Sequence, residues 1–165
     1  MPLRPPGRTL GVDPGSQVTG FGVVEKSDEG MHHIFSGSVR LTALPSLPLR
    51  LKKLHQTLGE IISLHRPTDL ALEQVFAAKN LHSALVLGHV RGVVLLTAVE
   101  WGLEVFEYSP LEIKKAVTGY GRAEKNQVSD MVQVLLGIPT LPNRDVSDAL
   151  AAAICHLNWV YPLKR

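Results

Sequence analysis

The order of apolar segments limits the fold of this 165-residue chain more than any other feature. Three strand-like runs, at residues 10–12, 21–24 and 33–41, come before any segment with helical spacing. Helical and strand-like segments then alternate along the rest of the chain. Because initial strands followed by alternating helices and strands favour a mixed sheet with helices packed on it, the sequence predicts an α/β fold.

The remaining elements are predicted from spacing and chain breakers. Apolar residues at intervals of three and four predict a helix that begins near Pro48 and that Pro67 closes. The elements predicted after it are a strand at residues 69–76, a helix at 81–99, a strand at 104–108, a short helix near 111–117, and helices at 126–136 and 145–159.

Length and composition favour one intracellular domain. Residues 1–8 are predicted to form a flexible leader, because prolines stand where a secretory signal would carry an apolar stretch. Residues 9–160 are expected to form a single domain and residues 161–165 a short tail, since this length suits one core. Cys155 is the only cysteine, so an intrachain disulfide cannot form and a reducing, cytoplasmic setting is expected.

The predicted helix at residues 81–99 is apolar on most faces and is nearly long enough to span a membrane. It contains two histidines and Arg91, and charge at mid-span is costly in lipid, so a soluble helix buried by the sheet and a partner is favoured. Gly88 and Gly92 are four residues apart and lie on one helix face. Close packing there could involve either a second helix or the chain's own sheet.

Four acidic residues stand where separate elements begin or end. Asp13 closes the first strand just before Pro14, which cannot donate to a strand ladder, so its carboxylate should face a cleft at the sheet edge. Glu73 lies late in an apolar strand, and Asp145 and Asp148 share one face of the last helix. Four gathered carboxylates would repel one another unless cations held them, and oxygen ligands suit Mg²⁺ or Mn²⁺.

Each acid also has a structural explanation. Asp13 before Pro-Gly could organise a turn through its side chain. Asp145 or Asp148 could complement the dipole of a helix N-terminus. Glu73 could pair with a cation such as Lys79, since an unpaired charge in an apolar strand is costly.

Five sequence blocks, in order and at matching spacing, resemble the RuvC family of Holliday-junction resolvases. They are GVDPGSQVTGFGVV, ALEQVFAAKN, ALVLGHVRGV, VFEYSPLEIKKAVTGYGRAEKNQV and DVSDALAAAICH. The resemblance covers about residues 10–156. It implies a ribonuclease H-like fold with a five-stranded mixed sheet flanked by helices. It also implies a homodimer that cleaves two opposed strands of a four-way DNA junction in recombination and repair, using divalent metal.

The resemblance assigns the four acids to a metal site. The family's metal-binding acids fall on Asp13, Glu73, Asp145 and Asp148, and the family varies between Asp and His at the position of Asp145. Two Mg²⁺ ions, with Mn²⁺ as the alternative, are expected in each site, about 3.5 to 4 Å apart. Asp13 is expected to bridge them, Glu73 to serve mainly one ion, and the products to carry 5′-phosphate and 3′-hydroxyl ends.

DNA contacts are expected to be mainly electrostatic, although a net charge of +2 permits nucleic-acid binding without requiring it. By resemblance, Phe76 stacks on junction bases, and Lys114 and Lys125 lie near the cleaved phosphate. The predicted phosphate-contacting rim comprises Arg40, Lys79, Lys114, Lys115, Arg122 and Lys125. A buried Phe76 is the alternative for the aromatic ring. Solubilising surface charge is the alternative for the cations, and the favoured one for Arg40 and Lys115.

The predicted dimer is joined through the helix at residues 81–99, and the family relation suggests a branch-migration motor as a further partner. Two other functions compete with the nuclease. A kinase-like ATP-binding protein shares the Asp-Gly turn, but it needs two lobes and this chain supplies one. A non-catalytic module that binds branched DNA is disfavoured because all four acids are present.

Overall fold

The computed structural model describes residues 7–75 and 80–162. These residues form one five-stranded sheet flanked by helices, which confirms the predicted α/β class with a mixed sheet. The strands are β1 (Gly7–Asp13), β2 (Val18–Ser27), β3 (Gly30–Arg40), β4 (Asp69–Glu73) and β5 (Glu104–Tyr108). The helices are α1 (Leu47–His65), α2 (Leu81–Glu100), α3 (Pro110–Thr118), α4 (Lys125–Leu136) and α5 (Arg144–Val160).

The sheet has the strand order β3-β2-β1-β4-β5. Strands β1, β2 and β3 form an antiparallel meander, whereas β4 and β5 run parallel to β1. Parallel neighbours end at the same edge of a sheet. The carboxyl ends of β1, β4 and β5 therefore lie together, and the loops and helix starts that follow them surround one edge.

The two faces of the sheet carry separate apolar cores. Helices α3, α4 and α5 cover one face, where Ala71 of β4 is buried. Helices α1 and α2 cover the other, where Val12 and Leu72 are buried. Because successive strand residues point to opposite faces, Asp13 and Glu73 belong to the face that α5 covers.

Several boundaries differ by one to three residues from the sequence prediction, and two of these differences concern the leader and the strand that carries Glu73. Strand β1 begins at Gly7, so Gly7 and Arg8 of the predicted leader belong to the sheet. The Arg8 guanidinium bonds the Glu25 carboxylate at 2.7 Å and the His65 carbonyl at 2.9 Å, which holds the strand start against β2 and the end of α1. Strand β4 ends at Glu73, three residues before the predicted end. Leader residues 1–6, tail residues 163–165, and residues 76–79 with Phe76 and Lys79, lie outside the described part of the chain.

Helix α2 is buried on one side only, at Val90, Val94, Thr97 and Ala98. The opposite side carries an exposed apolar stripe, which we call the α2 stripe: Leu81, Leu85, Gly88, Gly92, Leu96 and Val99. A Cβ atom built at either glycine of the stripe meets no described atom within 4 Å. The expectation that these glycines could pack on the chain's own sheet is therefore wrong. Among described helices, α2 alone is long and apolar enough to cross a membrane.

A buried polar network fixes α5 to the parallel strands. Nδ1 of His156 lies 2.7 Å from the Tyr108 hydroxyl, and its Nε2 lies 3.2 Å from the Asp69 carboxylate. Burial raises the pKa of Tyr108 to about 12, so its hydroxyl stays protonated well into the alkaline range. The network joins the C-terminal part of α5 to β4 and β5. The first turn of α5 lies at the opposite end of the helix, at the edge where β1 and β4 end.

Candidate active site

Asp13 and Glu73 end neighbouring strands. The β1–β4 register pairs Val12 with Leu72, and each acid is the next residue along its strand. Both side chains are half-buried at the carboxyl edge of the sheet. Two residues that are 60 positions apart in the sequence are thus neighbours at one edge.

The first turn of α5 reaches the same edge because two glycines leave room for it. Gly20 pairs with Asp13 across β1 and β2, and a Cβ built on Gly20 would lie 2.2 Å from the backbone carbonyl carbon of Asp145. A Cβ on Gly11 would lie 1.8 Å from the carbonyl oxygen of Ala149. Real Cβ contacts are far longer than these distances, so only glycine permits this approach. The helix backbone therefore lies directly on the sheet beside Asp13.

Asn143 sets where α5 begins. Its side-chain oxygen accepts a hydrogen bond from the backbone N–H of Val146 at 3.0 Å, and its amide donates to the Ser38 hydroxyl at 3.0 Å. The capping side chain is therefore an asparagine that also ties the helix to β3. Asp145 and Asp148, both half-buried, follow in the first two turns on the side that faces the sheet edge.

The acids interact electrostatically as one group. Burial, followed by the charges of Asp148, Asp145 and Glu73, raises the pKa of Asp13 to about 7, against an opposing effect of Lys125. Burial and the charge of Asp148 raise the pKa of Glu73. Burial raises the pKa of Asp148, with Lys125 acting against it and Asp145 in the same direction. Residues from two strands and one helix therefore share one region of negative potential.

The donor chemistry of this group fits a hard divalent cation. Every donor is a carboxylate oxygen, the ligand type that Mg²⁺ and Mn²⁺ prefer. Within residues 7–75 and 80–162, no group of three acidic, histidine or cysteine side chains is already arranged so that it could hold a metal ion. Bringing carboxylates to ligating distance costs repulsion unless a cation is present, and the charges of the other three acids add to the effect of burial in raising the pKa of Asp13.

Two of the predicted cations line the same cleft. Lys114 of α3 and Lys125 of α4 border it together with Glu73 and Asp148. Lys125 is the first residue of α4, where the side-chain oxygen of Gln127 accepts a hydrogen bond from the backbone N–H of the preceding residue, Glu124, at 2.8 Å. The predicted contacts Arg40, Lys115 and Arg122 are exposed and are absent from the described lining of this cleft.

Two arginines near the acids were not predicted as site residues. Arg91 of α2 donates through Nη1 to the Glu73 carbonyl at 2.9 Å and through Nη2 to the Glu107 carboxylate at 2.7 Å. The charge of Arg91 opposes the rise in the pKa of Glu73, after the larger opposing effects of Lys125 and Lys114, and the charge of Arg144 opposes the rise in the pKa of Asp148. Arg144 could have been found from its position next to Asp145. Arg91 has no comparable signal, because its contact depends on how α2 packs against the end of β4.

The mixed sheet, with electrostatically interacting carboxylates at the ends of β1 and β4 and at the start of α5, is the architecture of metal-dependent nucleases with a ribonuclease H-like fold. A family model described as crossover junction endodeoxyribonuclease RuvC matches residues 9–156. The chain therefore belongs to the RuvC family of crossover junction endodeoxyribonucleases.

Individual relatives agree with this assignment. The RuvC of Alkalilimnicola ehrlichii is 50% identical over 151 residues, which cover 92% of this chain and 91% of the relative. The RuvC of Koribacter versatilis is 49% identical over 160 residues, or 96% of each chain. The structure of Thermus thermophilus RuvC in complex with a Holliday junction substrate matches with a TM-score of 0.86 at 30% identity, over 93% of this chain and 94% of that one.

Proposed function

We propose that this protein is a structure-selective endonuclease that resolves four-way (Holliday) DNA junctions by paired, symmetric nicks in homologous recombination and DNA repair. The observation that carries the proposal is the shared electrostatic environment of Asp13, Glu73, Asp145 and Asp148, contributed by three separate elements. Membership of the RuvC family supports it, as does the similarity to a RuvC whose structure contains a junction substrate.

The four carboxylates are the proposed ligands of two Mg²⁺ ions, with Mn²⁺ as a possible substitute. Asp13 is proposed to serve both ions, because its carboxylate interacts electrostatically with all three of the other acids. Bound ions would lower the pKa of an attacking water and stabilise the leaving 3′ oxygen, giving 5′-phosphate and 3′-hydroxyl ends. The chain's own part is to hold these carboxylates on rigid strand ends and on a capped helix, so that little reorganisation is needed when DNA binds.

Lys125 is proposed to act on the phosphate. It is a compact cation at the start of α4, on the same cleft as Glu73 and Asp148, and Lys114 borders that cleft from α3. Both would offset negative charge on the phosphoryl group. Arg122 and Lys79 are proposed to contact flanking phosphates, where they would add affinity that is sensitive to salt.

Phe76 is proposed to stack on bases that the junction leaves unpaired. It follows the Glu73 strand end by three residues, so a base on its ring would lie near the metal site. One base–aromatic stack is worth about 1 to 3 kcal/mol. We expect Phe76→Ala to fold and to form a dimer, but to cleave junctions at least several-fold more slowly. Unchanged turnover would contradict this role.

A homodimer joined through the α2 stripe is proposed to bring two active sites to one junction. The stripe exposes four large apolar side chains beside two glycines, which let a second helix approach closely. A twofold axis through this seam would match two opposed strands of a nearly symmetric junction. The family relation further suggests a branch-migration motor as a partner and a cytoplasmic location.

The decisive experiment compares nicking of a synthetic four-way junction with nicking of a linear duplex, in Mg²⁺, in Mn²⁺ and in chelator. We expect metal-dependent cleavage of the junction in two opposed strands. Glu73→Gln should bind the junction and leave it intact, whereas the exposed control Glu60→Gln on α1 should cut normally. Binding without cleavage by the unmodified protein would make it a non-catalytic branched-DNA-binding module. Cleavage by Glu73→Gln would refute the metal-site assignment.

A further inference from the structure

Arg91 connects helix α2 to the end of the strand that carries Glu73. Its side chain is only 15% exposed, and its guanidinium makes two hydrogen bonds, to the Glu73 carbonyl at 2.9 Å and to the Glu107 carboxylate at 2.7 Å. The first bond holds the backbone of a proposed metal ligand. The second fixes the guanidinium, because Glu107 lies on β5, the other neighbour of β4 in the sheet.

The Glu73 carbonyl needs a donor from outside the sheet. Gln74 donates its N–H to the Tyr108 carbonyl on the β5 side, so the polar groups of Glu73 point the other way, towards β1. Extending the β1–β4 register by one residue sets Asp13 opposite Glu73, and the residue that follows the end of β1 is Pro14. Proline has no N–H to donate. Arg91 supplies the missing donor.

We propose that Arg91 is a positioning residue for the metal site: it fixes the backbone at Glu73 and so holds the Glu73 carboxylate in its ligating orientation. The inference rests on the proposed function, because it assigns Glu73 to the metal site. Partners that orient ligands in this way typically contribute 10- to 100-fold to metal affinity or activity. Arg91 is not itself expected to touch metal or DNA.

Charge and position make opposite predictions for Arg91. The positive charge of Arg91 repels a metal ion nearby, so an effect of charge alone would make cation binding tighter when the residue is neutralised. Loss of positioning would make binding weaker. A purely structural role would lower thermal stability and leave metal affinity unchanged. The direction of the change in metal affinity therefore distinguishes the three explanations.

The test measures Mn²⁺ binding to the full chain by titration calorimetry, without DNA, beside thermal melting and junction nicking. Arg91→Met removes both hydrogen bonds, and Arg91→Lys keeps the charge but cannot span both acceptors. Glu107→Gln leaves the bond to Glu73 and weakens the support of the guanidinium. The matched control is Arg50→Met. Arg50 lies on the unrelated helix α1 and also donates to a backbone carbonyl, that of Leu44, at 2.9 Å.

We expect the dissociation constant for Mn²⁺ to rise at least about tenfold in Arg91→Met and in Arg91→Lys. A smaller rise is expected in Glu107→Gln and none in Arg50→Met. Unchanged or tighter Mn²⁺ binding by the Arg91 variants would overturn the inference. If Arg91→Met does not fold, Arg91→Lys and Glu107→Gln decide the question in the same way.

The two levels of the proposal fail differently. If the unmodified protein cuts junctions while the Arg91 variants bind Mn²⁺ normally, only the positioning role is wrong. If the unmodified protein binds Mn²⁺ but does not cut junctions, the proposed nuclease activity is wrong, and the comparison of Mn²⁺ affinities still tests Arg91.

Discussion

Replacing Asp13 by asparagine should stabilise the metal-free protein while it abolishes cleavage. The pKa of Asp13 rises from 3.8 to about 7, which corresponds to about 4 kcal/mol against the ionised carboxylate at high pH. Because the folded state binds this proton more tightly than the unfolded state, the stability of the metal-free protein should fall as pH rises from about 4 to about 7. Glu73 and Asp148 titrate in the same cleft and share the repulsion. We therefore expect Asp13 to account for about 2 to 4 kcal/mol of this loss of stability.

The assay is thermal unfolding in chelator at pH 5 and pH 8, for the unmodified protein and for Asp13→Asn. The gain in stability of the variant over the unmodified protein should be larger at pH 8 than at pH 5, by at least about 4 °C for a chain of this size. Mn²⁺ should raise the melting temperature of the unmodified protein at pH 8 and do so much less in the variant. A difference in stability that does not change with pH, or a variant destabilised at pH 8, would refute the reasoning.

Three further predictions follow from named contacts. Lys125→Met should reduce the rate of junction cleavage at least tenfold with little change in Mn²⁺ affinity, because it removes the cation proposed to face the phosphate. If the variant and the unmodified protein cut at equal rates in a single-turnover nicking assay, Lys125 is only a surface charge. Leu96→Glu on the α2 stripe should yield monomers by sedimentation, whereas Leu64→Glu, at an exposed leucine of α1, should not; a Leu96→Glu dimer would place the seam elsewhere. Gly20→Ala should lower stability by about 1 to 3 kcal/mol and weaken Mn²⁺ binding, since the new methyl group would displace the backbone at Asp145; unfolding and calorimetric curves that match the unmodified protein would contradict this.

The elements themselves could be predicted from the sequence because the signals that define them are local. Alternation and 3.6-residue spacing gave the strands and helices, and Pro67, which was expected to close the first helix, lies two residues beyond the end of α1. The boundaries that failed depend on distant partners. Strand β1 extends to Gly7 because Arg8 bonds groups on β2 and at the end of α1, and no local pattern reports such contacts.

The acids of the candidate site could also be proposed in advance. A carboxylate at the end of an apolar strand is costly unless it faces a cleft or a partner, so Asp13 and Glu73 stand out by their positions alone. Their assignment to one site came from the resemblance to the RuvC family. The electrostatic coupling of Asp13 to Glu73, Asp145 and Asp148 became visible only with the strand register and the placement of α5.

The sequence by itself therefore determined the order of the elements, the presence of acids at their ends and the family. The tertiary structure decided which side of α2 is exposed, how closely α5 approaches Gly11 and Gly20, and that Arg91 supports Glu73. These features come from contacts between residues far apart in the chain, whose energies depend on strand order and helix packing. Spacing and composition report which residues share a face of one element, whereas only the assembled sheet fixes which faces meet.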